Sequence, residues 1–244
     1  SARVMKVLIT RGAGFIGSHF VRQWLAQHPH DEVVNLDLLT YSGMRATIEE
    51  LGQQPRHQFL QGDICNRRTV QRAMEGCAVV AHFAAETHVD RSITDPAPFI
   101  QTNVQGTQTL LRAAVDLKVQ RFLHISTDEV YGPIAEGAHT ETAPLHPRNP
   151  YAASKAAGDL LVHAYQETYG LPAIIARPPN AFGPRQFPEK FIPVCITNAL
   201  DDQPIPIYGD GLHRRNWLFV EELCQALARI VERGTIGRIY NVSG

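Results

Sequence analysis

Two short clusters hold side chains able to do chemistry. Ser126, Thr127, Asp128 and Glu129 follow an apolar run, Arg121–Ile125, and the pair Tyr151 and Lys155 begins 22 residues after Glu129. Together they offer a hydroxyl, two adjacent carboxylates, a phenol and an ammonium. That set is enough for oxidation, elimination and reduction on one sugar. Tyr151 and Lys155, at i and i+4, share one face of a helix. The ammonium is expected to favour phenolate and lower the phenol's pKa toward working pH, so that it takes a proton from a sugar hydroxyl as hydride leaves the same carbon. Thr127 would supply a second hydrogen bond to that hydroxyl. Burial and mutual repulsion can keep one of two adjacent carboxylates protonated while the other is ionised, which sets an acid beside a base. Each cluster also has an ordinary reading, a solvated acidic turn and a surface Tyr–Lys pair. A nucleotide-binding pattern upstream favours the chemical one.

Alternating apolar runs and helical patterns must position these groups. Strands are expected at Val4–Thr10, Glu32–Asp37, His57–Gln61, Val79–Phe83, Arg121–Ser126, Leu171–Arg177 and Arg238–Val242. Helices are expected at Phe15–Gln27, Pro98–Lys118, Pro150–Tyr169 and Val220–Arg233, with Pro150 in a first turn that tolerates proline. Near-continuous apolar strands separated by helices predict an α/β fold, a Rossmann-type doubly wound parallel sheet covered on both faces. Gly132–Asn149 reads as a polar loop. Prolines and glycines recur from 178 to 211, which predicts a smaller loop-rich substrate-binding region toward the C-terminus. The expected division is 1–177 for the nucleotide-binding and catalytic part and 178–244 for the substrate region, with 220–242 returning to the main sheet.

The nucleotide pattern is Thr10-Arg11-Gly12-Ala13-Gly14-Phe15-Ile16-Gly17-Ser18, between the first strand and the first helix. Gly12, Gly14 and Gly17 let the backbone approach a pyrophosphate, which the N–H groups at Phe15 and Ile16 would meet at the helix N-terminus. Asp37 ends the second strand, 20 residues after Gly17. A carboxylate there binds both hydroxyls of an adenosine ribose and repels a 2′-phosphate, which favours NAD over NADP. Asp63 and Ile64, after the third strand, are placed to meet the adenine. Arg11 breaks the pattern, because short-chain dehydrogenases usually carry glycine at its position. A side chain there crowds the turn or the cofactor, or alternatively brings a guanidinium to a phosphate; weaker NAD retention is the expectation.

Bulk properties exclude several classes. The 244 residues, 44% hydrophobic and 19% charged, suit one ordinary α/β domain with a small addition. A formal net charge of −1 argues against a nucleic-acid binder. Cys65, Cys77, Cys195 and Cys224 are widely spaced and read as small buried hydrophobes in a reducing compartment. The 11 histidines include no His-x-x-x-His pair, so no metal is expected. No apolar run approaches the roughly 20 residues that span a bilayer, and Met5-Lys6 reads as a start without a signal peptide. A cytoplasmic protein with no membrane partner is expected.

Thr10–Gly17, Tyr151-x-x-x-Lys155 and Asn103-Val104-x-Gly106-Thr107 resemble the extended short-chain dehydrogenase/reductase family. Within it, Ser126-Thr-Asp-Glu-Val-Tyr-Gly132 is similar to the dTDP-glucose 4,6-dehydratases. So are Leu39–Gly43, Ala85–Ser92, Gly183–Gln186, Pro188–Lys190 and Gly209–His213. Family epimerases generally lack the Asp-Glu pair. The resemblance implies NAD as cofactor, and Thr127, Asp128, Glu129, Tyr151 and Lys155 as catalytic residues. Tyr151 and Thr127 would assist oxidation at C4, Glu129 would take the C5 proton, Asp128 would protonate the departing C6 hydroxyl, and hydride would return to C6. It assigns the nucleotide diphosphate to Asn180, Lys190 and Arg215 and the sugar pocket to His88. A homodimer is implied, with Pro98–Lys118 and Pro150–Tyr169 pairing into four helices. Two departures stand out: Ala181 and Phe182 replace an amide and a hydroxyl, and family members continue for several dozen residues past Gly244. Other nucleotide-sugar dehydratases, epimerases or decarboxylases, and a catalytically impaired nucleotide-binding protein, are the alternative readings.

Overall fold

The computed structural model describes residues 4–40, 45–134, 136–207, 209–212 and 214–244. The chain opens with β1 (Lys6–Thr10), α1 (Phe15–Gln27), β2 (Glu32–Asp37), α2 (Arg45–Leu51), β3 (His57–Gln61), α3 (Arg67–Met74) and β4 (Val79–His82). Next come α4 (Val89–Thr94) and the single turn α5 (Ala97–Phe99), which runs through π-helical Ile100–Gly106 into α6 (Thr107–Asp116). β5 (Arg121–Ile125) leads to a 3-10 turn, Asp128–Tyr131, a long loop, α7 (Pro150–Tyr169) and β6 (Ala173–Arg177). β7 (Asn180–Phe182), α8 (Phe191–Leu200), β8 (Trp217–Phe219), α9 (Val220–Arg233) and β9 (Ile239–Asn241) complete it.

Seven strands form one parallel sheet in the order β3-β2-β1-β4-β5-β6-β9. Side chains alternate across a strand, and in β1 both faces are buried. Val7 and Ile9 join Phe20, Val21 and Trp24 of α1 and Leu223 and Leu227 of α9 on one side. Leu8 joins Leu110 and Leu111 of α6 and Val162 of α7 on the other. The strand order reverses between β1 and β4, which opens a crevice at their C-terminal ends, the usual ligand position in such sheets. β7 and β8 make a separate two-stranded parallel ribbon.

Several expected elements differ in detail. The helix expected over 98–118 is interrupted by the π-helical stretch, whose wider turn carries Asn103, a residue used at the site below. The strand expected from Leu171 starts at Ala173, because Pro172 has no N–H for the ladder. α8 lies in the segment that its proline and glycine content predicts to be loop-rich. Its Pro193 falls in the first turn, where a missing N–H breaks no helical bond, so proline there does not mark a loop. Cys77 and Cys224 are buried, but Cys65 and Cys195 are only half-buried. Residues 1–3, residues 41–43 of the Leu39–Gly43 motif and His213 lie outside the described residues. Among the described residues no helix is long and apolar enough to cross a membrane.

Candidate active site

The residues expected to react are brought together by three neighbouring elements. β5 is buried along its apolar length and delivers Thr127 in extended conformation, φ −155°, as cap of the 3-10 turn. Its hydroxyl accepts from Glu129 N at 3.2 Å and reaches Asp128 Oδ1 at 3.4 Å. Asp128 N donates to the Pro178 carbonyl at 3.0 Å, tying the turn to the end of β6. α7 starts beside this turn, and Asn149 joins the two. Its Oδ1 caps Ala152 N at 2.7 Å while its Nδ2 donates to Glu129 Oε2 at 3.3 Å.

Tyr151 and Lys155 follow in the first two turns of α7. The Tyr151 N–H, left without a helical partner so near the start, donates to Ser92 Oγ at 3.2 Å. Lys155 Nζ donates to the Ile125 carbonyl at 2.7 Å, which anchors α7 against the end of β5. Deeper in the helix Gly158 lets α7 approach the π-helical turn, since a Cβ there would lie 3.3 Å from the Asn103 carbonyl. The Asn103 side chain donates to Ser154 Oγ at 2.8 Å and brackets Glu86, accepting from its N–H at 2.8 Å and donating to its carbonyl at 3.0 Å. Asn149, Ser92 and this use of Asn103 were not read from sequence. The Asn-Pro pair opening α7 was a legible cap signal for the first; the other two are contacts between distant segments.

Burial and charge then separate the groups. Asp128 is pushed up to about 6, first by burial and then by the charge of Glu129. Lys155 is pulled down to about 8 by burial, against which the buried Asp159 carboxylate works. Tyr151 is pushed up, mainly by burial and by Glu129, with the Thr127 hydroxyl and the Arg11 charge opposing. The expected lowering of the phenol by Lys155 is not met, because burial makes a phenolate costly here and the neighbouring Glu129 carboxylate repels it.

Of the residues expected to bind a nucleotide, Asp37, Asp63 and Ile64 line one crevice at the C-terminal end of the sheet. α1 begins after Gly14 with no side-chain cap, unlike α7, so its N-terminus is the kind of helix start whose first N–H groups can meet an anion. A Cβ on Gly17 would collide with the Arg11 carbonyl, so only glycine keeps the turn this tight. Gly12 N donates to Asn35 Oδ1 at 2.9 Å. Asp37 is buried at the end of β2 and accepts from Ala13 N at 2.9 Å and Leu39 N at 2.8 Å. Each of its oxygens keeps a second lone pair for a ribose hydroxyl. Asp63 and Ile64 line the same crevice as Asp37. These residues fit a dinucleotide, with one exception: the Arg11 side chain lies in the crevice and donates to the Ala85 carbonyl.

The four residues expected to meet substrate are held unequally. His88 caps α4, accepting from Arg91 N at 3.4 Å, and its Nε2 lies 3.8 Å from Glu189 Oε2. Lys190 Nζ donates to the Thr87 carbonyl at 3.5 Å, so these two are brought together across segments far apart in sequence. Burial lowers the Lys190 pKa, and Glu129 is among the charges it feels. Asn180 begins β7 opposite Trp217. Arg215 is exposed and donates to the carbonyl of Arg214 at 2.8 Å.

Residues 7–243 match the model of the NAD dependent epimerase/dehydratase family. The low-salt glycan biosynthesis protein Agl12 of Haloferax volcanii is 52% identical over 238 residues, covering 98% of this chain and 76% of its own. A dTDP-glucose 4,6-dehydratase from an Actinoplanes species is 46% identical over 245 residues, 98% of this chain and 77% of that protein. A solved structure of DesIV, the dTDP-glucose 4,6-dehydratase of Streptomyces venezuelae with NAD bound, matches with a TM-score of 0.96 and 50% identity, over 98% of this chain and 76% of that one.

Proposed function

The chain belongs to the NAD dependent epimerase/dehydratase family, and on that premise we propose that it converts dTDP-glucose to dTDP-4-keto-6-deoxyglucose. The reaction is NAD-dependent: oxidation at C4, loss of water across C5–C6, and return of hydride to C6. The observation that carries this reading is the Asp128–Glu129 pair on one short turn beside Tyr151, with Asp128 raised to about 6. An epimerase expels no water and has no use for a proton donor adjacent to its base.

Thr127 and Tyr151 hold the C4 hydroxyl, and Tyr151 takes its proton. The chemistry that bound NAD supplies is a reversible hydride sink whose positive charge favours the phenolate. Lys155, anchored on the Ile125 carbonyl, holds the start of α7 and its Tyr151 against the end of β5. Once C4 is a carbonyl the C5 proton is acidic, and Glu129, steadied by Asn149, removes it. Asp128 gives its proton to the C6 hydroxyl, which leaves as water. With hydride returned to C6 and a proton to C5, the cycle closes without net redox.

The segment 178–219 is assigned to substrate. Asn180, Lys190 and Arg215 take the diphosphate and His88 lines the sugar, a reading supported by the Lys190–Thr87 contact beside His88. A homodimer through the 98–118 helical stretch and α7 belongs to the same proposal, supported by exposed Ile100 and Leu160 on those elements, and light scattering at micromolar concentration tests it. A cytoplasmic location completes it, tested by cell fractionation. The activity test is incubation with dTDP-glucose, with and without added NAD. The expected result is the alkaline absorbance of a 4-keto-6-deoxy sugar without accumulation of NADH. A C4 epimer as sole product, or no product with NAD added, overturns it.

A further inference from the structure

Arg11 is the residue at which the crevice departs from a ready dinucleotide site. It stands in the turn between β1 and α1 at φ +57°, in the left-handed region that L side chains seldom adopt. Its backbone is held there by two bonds, its N–H donating to Leu36 O at 2.8 Å and its carbonyl accepting from Gly14 N at 3.1 Å. The side chain then folds back over Gly14, where a Cβ would lie 3.1 Å from Arg11 Cγ and 3.3 Å from its Nε. From there Nη1 crosses to the carbonyl of Ala85, just beyond β4. Arg11 therefore bridges the two walls of the crevice at the point where the strand order reverses.

The space left is small. The crevice lined by Arg11, Asp37, Asp63, Ile64, Ala84 and Ala85 holds about 50 Å³, whereas pockets for small organic ligands hold about 300–1,000 Å³. The diphosphate of a dinucleotide must pass the uncapped N-terminus of α1 at Gly14, and that passage is where the guanidinium stem rests. The charge of Arg11 is also felt by Tyr151, Lys155 and Lys190.

We propose that Arg11 is a built-in strap over the diphosphate path: its guanidinium must leave the Ala85 carbonyl before NAD can bind, so this chain holds NAD as an exchangeable ligand. This inference rests on the NAD-dependent reading above and adds which residue sets cofactor retention. The strap and the strained backbone make different predictions. Arg11→Ala removes the guanidinium and keeps a Cβ at the same positive φ, whereas Arg11→Gly removes both.

The test is titration of NAD into the purified, cofactor-stripped chain and both variants, followed by calorimetry, with bound NAD in the unstripped proteins as a second readout. Both variants are expected to bind NAD at least about tenfold more tightly than the parent, and to purify with more of it. An alanine variant that binds no better than the parent overturns the strap even if the glycine variant improves, since the backbone alone would then be limiting. Weaker binding by both variants overturns it as well, by making the guanidinium a helper of the diphosphate. Absence of NAD binding in all three proteins overturns the strap together with the dehydratase reading, whereas equal binding in all three overturns the strap alone.

Discussion

The two sides of the cleft are built on different principles. On the side formed by β5, the 3-10 turn and α7, the reacting groups are buried or half-buried and tied down by neighbours: Thr127 caps Glu129, Asn149 grips Glu129, Ser92 receives the Tyr151 N–H, and Lys155 is fixed on Ile125. On the side formed by 178–219, α8 buries none of its residues and Arg215 is exposed, bonded to the carbonyl of its own neighbour. The first arrangement fixes geometry before substrate arrives, which is what lowers a chemical barrier. The second leaves long side chains to be ordered by the ligand, which sets affinity. On the proposed function, the chemical groups are prearranged, whereas of the groups proposed for the diphosphate only Lys190 is held by another segment.

That contrast breaks most visibly in kinetics. Glu129→Gln and Tyr151→Phe are expected to lower kcat by about 100- to 10,000-fold with little change in KM, as steady-state assays of 4-keto sugar formation would show. A comparable rise in KM would mean that these groups bind more than they react.

The next effect is on stability, and its sign is opposite to that on activity. Asp128 is raised from 3.8 to about 6, so the folded state disfavours its ionised form. Stability is full below the unfolded value near 3.8, falls as pH rises to about 6, and stays reduced above it. Asp128→Asn is therefore expected to be more stable than the parent at pH 8, by at most about 3 kcal/mol, and equally stable at pH 3. Urea melts at the two pH values measure it. The same residue gives the activity a pH limb, because proton donation to C6 declines as pH rises through about 6.

A smaller loss tests the tie between the two catalytic elements. Asn149→Ala removes the cap of α7 and the contact to Glu129 together, and should cost about 1 kcal/mol of stability along with a fall in kcat. Asn149→Asp retains the cap but repels Glu129, so it should keep the stability and still lose kcat. The smallest effect lies across the cleft. Arg215→Ala is expected to raise KM by about threefold, the worth of an exposed ion pair, with kcat unchanged. A large fall in kcat there would show that the 178–219 segment is also prearranged.

The same division governs what could be read from sequence. The buried strands and α1, α7 and α9 announce themselves, because continuous apolar runs, glycines after a strand and an Asn-Pro helix start have local physical causes. The reacting residues were legible through the types and spacing those elements impose. The contacts that hold them were not. Ser92 meets Tyr151 and Asn103 meets Glu86 and Ser154 across long sequence separations, and no local pattern encodes such pairs. The Tyr151 phenol illustrates the limit: helical spacing placed Lys155 on its face, but the ammonium's partner is a carbonyl of β5, and burial decides the shift. In 178–219, frequent proline hid α8, none of whose residues is buried, so it gives no buried stripe to recognise.

On the proposed function, one cleft oxidises C4, expels water and returns the same hydride to C6. The most direct measurement is to follow a deuterium placed at C4 of dTDP-glucose, in ordinary water with NAD present, by proton NMR of the product. The account predicts a 4-keto-6-deoxy product carrying that deuterium at C6. Deuterium found again at C4, on a sugar that keeps its C6 hydroxyl, would contradict it.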